Sequence, residues 1–254
     1  MNDEDFFRWI GAVDPELRYA PMIAFPKYHS SSEKVFLDTS IPSGSSAETS
    51  IDHALDTLFN HPNVGPFIGR QLIQRFVTSN PSPDYIERVA TAFNDGTYRL
   101  PNNTVTGTGD RGDMRATIAA VLMDPEARQD PSDMPESQGK VKEPILRFVQ
   151  WARAFDVRTI TPQHTNQVWV TSDADELAQH PYRSPSVFNF YRPGYVAPGT
   201  QSGAAGLVAP ELQIMNASTV TGYANFMTYF IYACLLYTSP SPRDATLSRM
   251  PSSA

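Results

Sequence analysis

The stretch HPNVGPFIGRQLIQRFVTSNPSPDYIERVATAFND, residues 61–95, constrains the fold more than any other part of the chain. Pro62 suits the first turn of a helix, where its missing N–H costs no hydrogen bond. That helix should end at the Ser-Asn-Pro sequence of residues 79–81, because a residue before proline is disfavoured in the helical conformation. Ser82 suits the N-cap of a second helix, and Gly96 suits its C-terminal stop. Two helices separated by a proline break are therefore predicted.

The first of these two helices is predicted to be largely buried, since its apolar residues cover more than half of its circumference. Apolar residues also recur at the spacing of one helix face elsewhere in the chain. These further helices are predicted at 48–60, 114–124 and 144–156, with a last helix that starts at Pro210 and runs through Phe226. No repeat or alternating strand pattern stands out. The sequence therefore predicts a mainly α fold, a multi-helical, bundle-like single domain with long ordered loops.

One of those loops, residues 159–206, is rich in proline, serine, glycine and aromatic residues. Its aromatic rings are too costly to leave in water, so we expect ordered structure. Aromatic faces beside amide and guanidinium groups suit stacking against a sugar or a peptide, and large rings equally suit packing between helices. The candidate binding residues are Phe188, Asn189, Tyr191, Arg192 and Tyr195.

The charge balance excludes some classes of partner. A net charge of -7 and a pI near 5.2 argue against nucleic acid and against an anionic membrane surface, since both select basic faces. The apolar run from Tyr223 to Tyr237 is shorter than the ~20 residues that a bilayer requires, so no membrane span is predicted. Cys234 is the sole cysteine, which excludes an internal disulfide.

Motifs for cofactors and metals are weak. Residues 107–112, GTGDRG, fit a phosphate-binding spacing, yet no strand pattern precedes them. His29, His53 and His61 lack the spacing of a metal site, which needs three or four converging ligands. We therefore predict no bound cofactor and no metal.

Two glutamates are the candidates for catalysis. Glu143 and Glu211 would suit a hydrolase of polysaccharide or another extracellular polymer if they converged with Asn189 and Arg192 in one pocket. Carboxylates about 5 to 9 Å apart beside an open cleft would support that reading. The competing interpretation places these charges in structural pairs at the margin of the core.

Five blocks of sequence, in order, resemble the C-terminal half of a bacterial family of unknown function, DUF1800. The resemblance covers roughly residues 20 to 232 and about half of a typical member, which also carries an upstream helical half and often an export signal. It implies an exported, mainly helical bacterial protein in the periplasm or outside the cell, and it brings no agreed catalytic residues. The blocks lie at residues 61–93, 111–128, 139–155, 184–199 and 207–218.

The last residues, CLLYTSPSPRDATLSRMPSSA, resemble the translated sequencing adapters that end assembled metagenomic fragments. We therefore expect residues 1–232 to be part of one helical domain of this family and residues 233–254 to be a non-native tail. The N-terminus, MNDEDFFRWIG, has no basic region followed by an apolar stretch, so it is not a secretory signal as it stands. Either the protein is cytoplasmic or its true start is missing.

Two functions remain open at this point. In the first, the protein has no catalytic activity and acts in binding or assembly with a secreted protein encoded nearby. In the second, it is the hydrolase described above, with a polysaccharide as its partner. Whether the chain is an enzyme is not decided by its sequence.

Overall fold

The computed structural model describes residues 23–159, 170–187, 189–232 and 236–237. The chain divides into two compact units, Met1–Val64 and Gly65–Ala254. Helices dominate the described residues, and their strands occur only as short antiparallel pairs, so the predicted mainly α fold is confirmed.

The first unit contains a small hairpin and one helix. The hairpin pairs β1, Lys34–Phe36, with β2, Thr39–Ile41, through a two-residue turn. Helix α1, Ala47–Asn60, starts where the Ser46 side chain accepts a hydrogen bond from the Thr49 backbone N–H. It ends where the sequence predicts. Its large apolar side chains are exposed: Ile51, Leu55, Leu58 and Phe59.

The second unit begins with the helix pair that the sequence predicts. The order is α2, Val64–Phe76; α3, Pro83–Asp95; the strand pair β3, Tyr98–Arg99, and β4, Val105–Thr106; and α4, Met114–Met123. Ser82 caps α3 as predicted, by accepting a hydrogen bond from the Tyr85 N–H. Gly96 ends α3 in the left-handed conformation, and a Cβ there would lie 2.1 Å from the Asp110 carbonyl oxygen.

Helices α3 and α4, with Ile73 of α2, form the first core. The Tyr85 hydroxyl, fully buried, donates a hydrogen bond to the Val121 carbonyl. Arg88 donates to both carboxylate oxygens of buried Asp124, at 2.6 and 2.8 Å, just after α4 ends. The buried members of this core are Ile73, Tyr85, Val89, Ala92, Ala120 and Val121.

Helix α2 is less buried than its wide apolar arc predicts. It packs on α3 through Gly65 and Gly69, and a Cβ at Gly69 would lie 3.1 Å from a methyl group of Val89. Phe67 and Phe76 remain more than half exposed. The two backbones approach closely at glycine residues, which the apolar pattern does not include. The pattern therefore overestimates how much of the apolar surface of α2 is buried.

Helices α5, Pro144–Ala154, and α7, Ala217–Tyr232, form the second core. Phe148 packs edge-on against Phe226 and Phe230, with ring centroids 5.5 and 5.2 Å away. Helix α7 starts later than predicted, because Pro210–Gln213 forms a separate 3-10 turn. Within the described residues, no helix is both long and apolar enough to span a bilayer.

Three short elements complete the second unit. The strand β5, Arg158–Thr159, pairs antiparallel with β6, Leu236–Tyr237, and Gln201–Ala204 forms the short helix α6. Most of the predicted tail at 233–254 lies outside the described residues, so its foreign origin stays a prediction.

The Tyr85 hydroxyl gives a direct test of the first core. We expect Tyr85→Phe to lower the free energy of unfolding by about 1 to 3 kcal/mol, because the buried Val121 carbonyl loses its donor. Urea unfolding followed by circular dichroism measures the change. Tyr182→Phe is the matched control at a fully exposed tyrosine, and equal effects of the two substitutions would contradict the packing described.

Candidate functional site

The proline break between α2 and α3 binds two distant segments. Thr78 is fully buried, and its hydroxyl accepts a hydrogen bond from the Gly139 N–H at 2.9 Å. The Asn80 side chain accepts from the Val208 N–H at 2.9 Å and donates to the Val208 carbonyl at 3.0 Å. The break therefore holds the connection that precedes α5 and the segment that precedes the 210–213 turn.

The same corner holds the aromatic loop. Gln74, near the end of α2, is buried, and its amide nitrogen donates to the carbonyls of Ser79 at 3.0 Å and Pro193 at 3.3 Å. Because both bonds use the amide nitrogen, the orientation of the amide is fixed and its oxygen points elsewhere.

A buried ion pair lies next to Gln74. The Lys140 ammonium is 3.2 Å from a carboxylate oxygen of Glu211, and the two side chains are 15% and 1% exposed. Lys140 also donates to the Arg75 carbonyl at 3.0 Å. A buried carboxylate needs such a partner, since removing an unpaired charge from water is costly. The pair therefore attaches the 210–213 turn to the end of α2.

Tyr191 is the aromatic residue that the loop inserts into this corner. Its ring is buried, and the Arg75 guanidinium lies 4.6 Å from the ring centroid, in cation–π geometry. Burial and the nearby Glu143 carboxylate raise the pKa of the Tyr191 hydroxyl well above its usual value. The hydroxyl makes no well-formed hydrogen bond to a described residue, and the Glu143 carboxylate lies near enough to favour its protonated form.

Glu143 occupies the position before the first turn of α5. Its carboxylate accepts a hydrogen bond from the Gln179 amide at 2.8 Å, and Gln179 in turn accepts from the Ile145 N–H at 3.2 Å. Glu143 thereby fastens the 171–179 segment to the start of the helix.

Together these groups form one buried cluster, which we call the polar junction. It brings both predicted glutamates to the surroundings of Tyr191, whose pKa responds to each of them. Both glutamates pair with other side chains of the protein. The cavity beside Glu211 has a volume of about 10 Å³, enough for about one water. The polar junction consists of Gln74, Arg75, Lys140, Glu143, Gln179, Tyr191 and Glu211.

The other predicted binding residues do not enter the polar junction. Asn189 and Arg192 are exposed, and the Arg192 N–H donates to the Gln213 side chain at 2.8 Å. Tyr195 is half-buried, and its carbonyl accepts a hydrogen bond from the Ala209 N–H. Phe188 lies outside the described residues. The aromatic loop is therefore divided, with Tyr191 inside and its neighbours Asn189 and Arg192 at the surface.

Sequence analysis did not identify Gln74, Arg75, Lys140 or Gln179 as members of this cluster. Gln74 and Arg75 fall mainly on the polar side of α2 by periodicity, yet Gln74 bonds to a carbonyl 119 residues away. No local pattern marks such a contact.

The glycine-rich sequence at 107–112 uses its backbone internally. The Gly109 N–H donates to the Gly96 carbonyl, and the Gly112 N–H donates to the Phe93 carbonyl. The Thr108 N–H donates to the Asp113 carboxylate, which also caps α4. These amides are therefore engaged, although amides in such a loop could otherwise hold a phosphate. Across the described ranges, no cluster of three His, Cys, Asp or Glu residues could hold a metal ion.

Comparison with known proteins gives one match. Residues 12–253 match the family described as "Protein of unknown function (DUF1800)". No curated protein and no solved structure matches the chain. The matched range covers nearly the whole sequence and includes the helix pair, the aromatic loop and every member of the polar junction. The chain therefore belongs to the DUF1800 family of proteins of unknown function.

Proposed function

We propose that this protein acts by binding another protein, an exported partner encoded nearby, and not by catalysis. The observation that supports this proposal most directly is the apolar stripe of α4, formed by Met114, Ile118 and Leu122. These side chains are 44%, 38% and 45% exposed. Their spacing of four residues places them on one side of the helix.

Helix α4, which carries the stripe, is packed into the first core. Ala116 and Ala120, on the other side of α4, and Val121, at the edge of the stripe, are fully buried, and Ala120 and Val121 belong to the first core. The helix therefore packs through two alanines and Val121, while three larger apolar side chains remain partly exposed. Exposed large apolar groups at helical spacing suit a protein partner that covers them with an apolar groove or helix.

Ile118 lies at the centre of the stripe, so its substitution tests the binding role. We expect Ile118→Glu to weaken binding of a co-encoded partner by at least about tenfold, because a central apolar contact would become a buried charge. Biolayer interferometry with the separately purified products of neighbouring genes measures the affinity.

Thr91→Glu, at an exposed position of α3 outside the stripe, is the matched control. It should leave the affinity unchanged. If none of the neighbouring products binds the chain, or if the two variants bind equally, the proposed role of the stripe is wrong.

A hydrolase remains the second candidate, because Glu143 and Glu211 both approach Tyr191. The space beside Glu211 admits about one water, which leaves no room for a sugar ring. The internal partners of both carboxylates likewise favour a structural role over an acid–base pair with a substrate between its members.

Glu211→Gln separates these two roles. In the structural role, the free energy of unfolding falls by roughly 1.5 to 3 kcal/mol, because Lys140 loses a charged hydrogen-bond partner. The exposed Glu136→Gln control should change it by less than about 0.5 kcal/mol. Urea unfolding gives both values, and reducing-end assays on a panel of polysaccharides should detect no turnover. Turnover by the unchanged chain that disappears in Glu211→Gln, with stability intact, would instead establish the hydrolase.

A further inference from the structure

Three buried side-chain oxygens in the polar junction have no hydrogen-bond partner among the described residues. They are the amide oxygen of Gln74, Oε1, the second carboxylate oxygen of Glu211, Oε2, and the Tyr191 hydroxyl, which lies near the Glu143 carboxylate. The first two can only accept a hydrogen bond. Gln74 is 95% buried and Glu211 is 99% buried. An unpaired buried acceptor costs about 1 to 3 kcal/mol, and more when it is charged, so two in one place call for an explanation.

Both residues line one small cavity. The cavity has a volume of about 10 Å³. The other residues of its wall are Gln71, Arg75, Tyr191, Pro193 and Pro210. That volume is close to the minimum that one water needs, and a buried water normally makes two to four hydrogen bonds.

We propose that this cavity binds one structural water, which donates one hydrogen to Gln74 Oε1 and the other to Glu211 Oε2. The Arg75 guanidinium, which also lines the cavity, carries N–H groups that can donate to the water oxygen. The water then joins α2 to the 210–213 turn and satisfies both acceptors. It supplements the Lys140–Glu211 ion pair, which uses the other carboxylate oxygen.

A monovalent or divalent cation fits this cavity less well. The Lys140 ammonium already lies 3.2 Å from the Glu211 carboxylate, and the Arg75 guanidinium stacks on Tyr191 at the cavity wall. A further positive charge would be repelled by both. Hard cations also require about six or more oxygen ligands, whereas the residues that line the cavity offer three unpaired oxygens, including the Tyr191 hydroxyl.

A crystal structure of the full chain, at a resolution that shows ordered waters, tests the proposal. We expect one density peak about 2.5 to 3.0 Å from both Gln74 Oε1 and Glu211 Oε2. Crystals grown with rubidium in place of sodium should show no anomalous signal there. An empty cavity, direct contact between the two side chains, or an anomalous rubidium peak in the cavity would overturn the proposal.

A pair of variants adds a second readout. Gln74→Met keeps the approximate volume of the side chain and removes the acceptor, so the peak should be lost or much reduced. Gln71→Met changes a residue that lines the same cavity but leaves both acceptors in place, so the peak should remain. A peak that survives in Gln74→Met, or one lost from both variants, would count against the proposed hydrogen bonds. The crystal of the unchanged chain decides the question if Gln74→Met does not fold.

Discussion

The second unit depends on one short piece of non-helical backbone, the proline break at residues 78–81. A break between two helices leaves backbone and side-chain polar groups that must find partners when buried. Here Thr78 bonds to Gly139, and Asn80 bonds to Val208, so the break is the point where distant segments attach. These contacts bring the start of α5, the aromatic loop and the 210–213 turn to one corner. The residues of the polar junction lie together because the break binds the segments that carry them.

The charged and polar side chains of the polar junction pair with one another. Lys140 neutralises Glu211, Gln179 occupies an oxygen of Glu143, and Arg75 stacks on Tyr191. Each interaction joins two segments that are far apart in sequence. The proposed water would satisfy the remaining acceptors of Gln74 and Glu211, and a buried polar network holds a structure rigid when its groups are satisfied. Helix α4 is held separately on α3, by the hydrogen bond from Tyr85 to Val121, by the Arg88–Asp124 ion pair and by the first core. Rigid support of an exposed apolar stripe suits a binding protein.

Local signals in the sequence predict the helices well and the contacts between them poorly. The cap at Ser82, the stop at Gly96 and the end of α1 at Asn60 follow from local backbone chemistry, which needs no partner. Periodicity overestimates the burial of α2. Ile73 is buried as its pattern predicts, but glycines make the close approach to α3 and Phe76 is left exposed. For the site, Glu143, Glu211 and Tyr191 could be chosen by residue type. Their internal partners could not, because those contacts are set by tertiary packing between residues that lie 36, 71 and 116 positions apart in the sequence.

We expect the buried charges of the polar junction to stabilise the fold and not to bind a substrate. A double-mutant cycle on Lys140→Met and Glu211→Gln measures this most directly, through the free energies of unfolding of the four chains in urea. If the pair is structural, the coupling energy should be at least about 1 kcal/mol, because the two side chains are in contact and buried. Single effects that add within about 0.3 to 0.5 kcal/mol would contradict it.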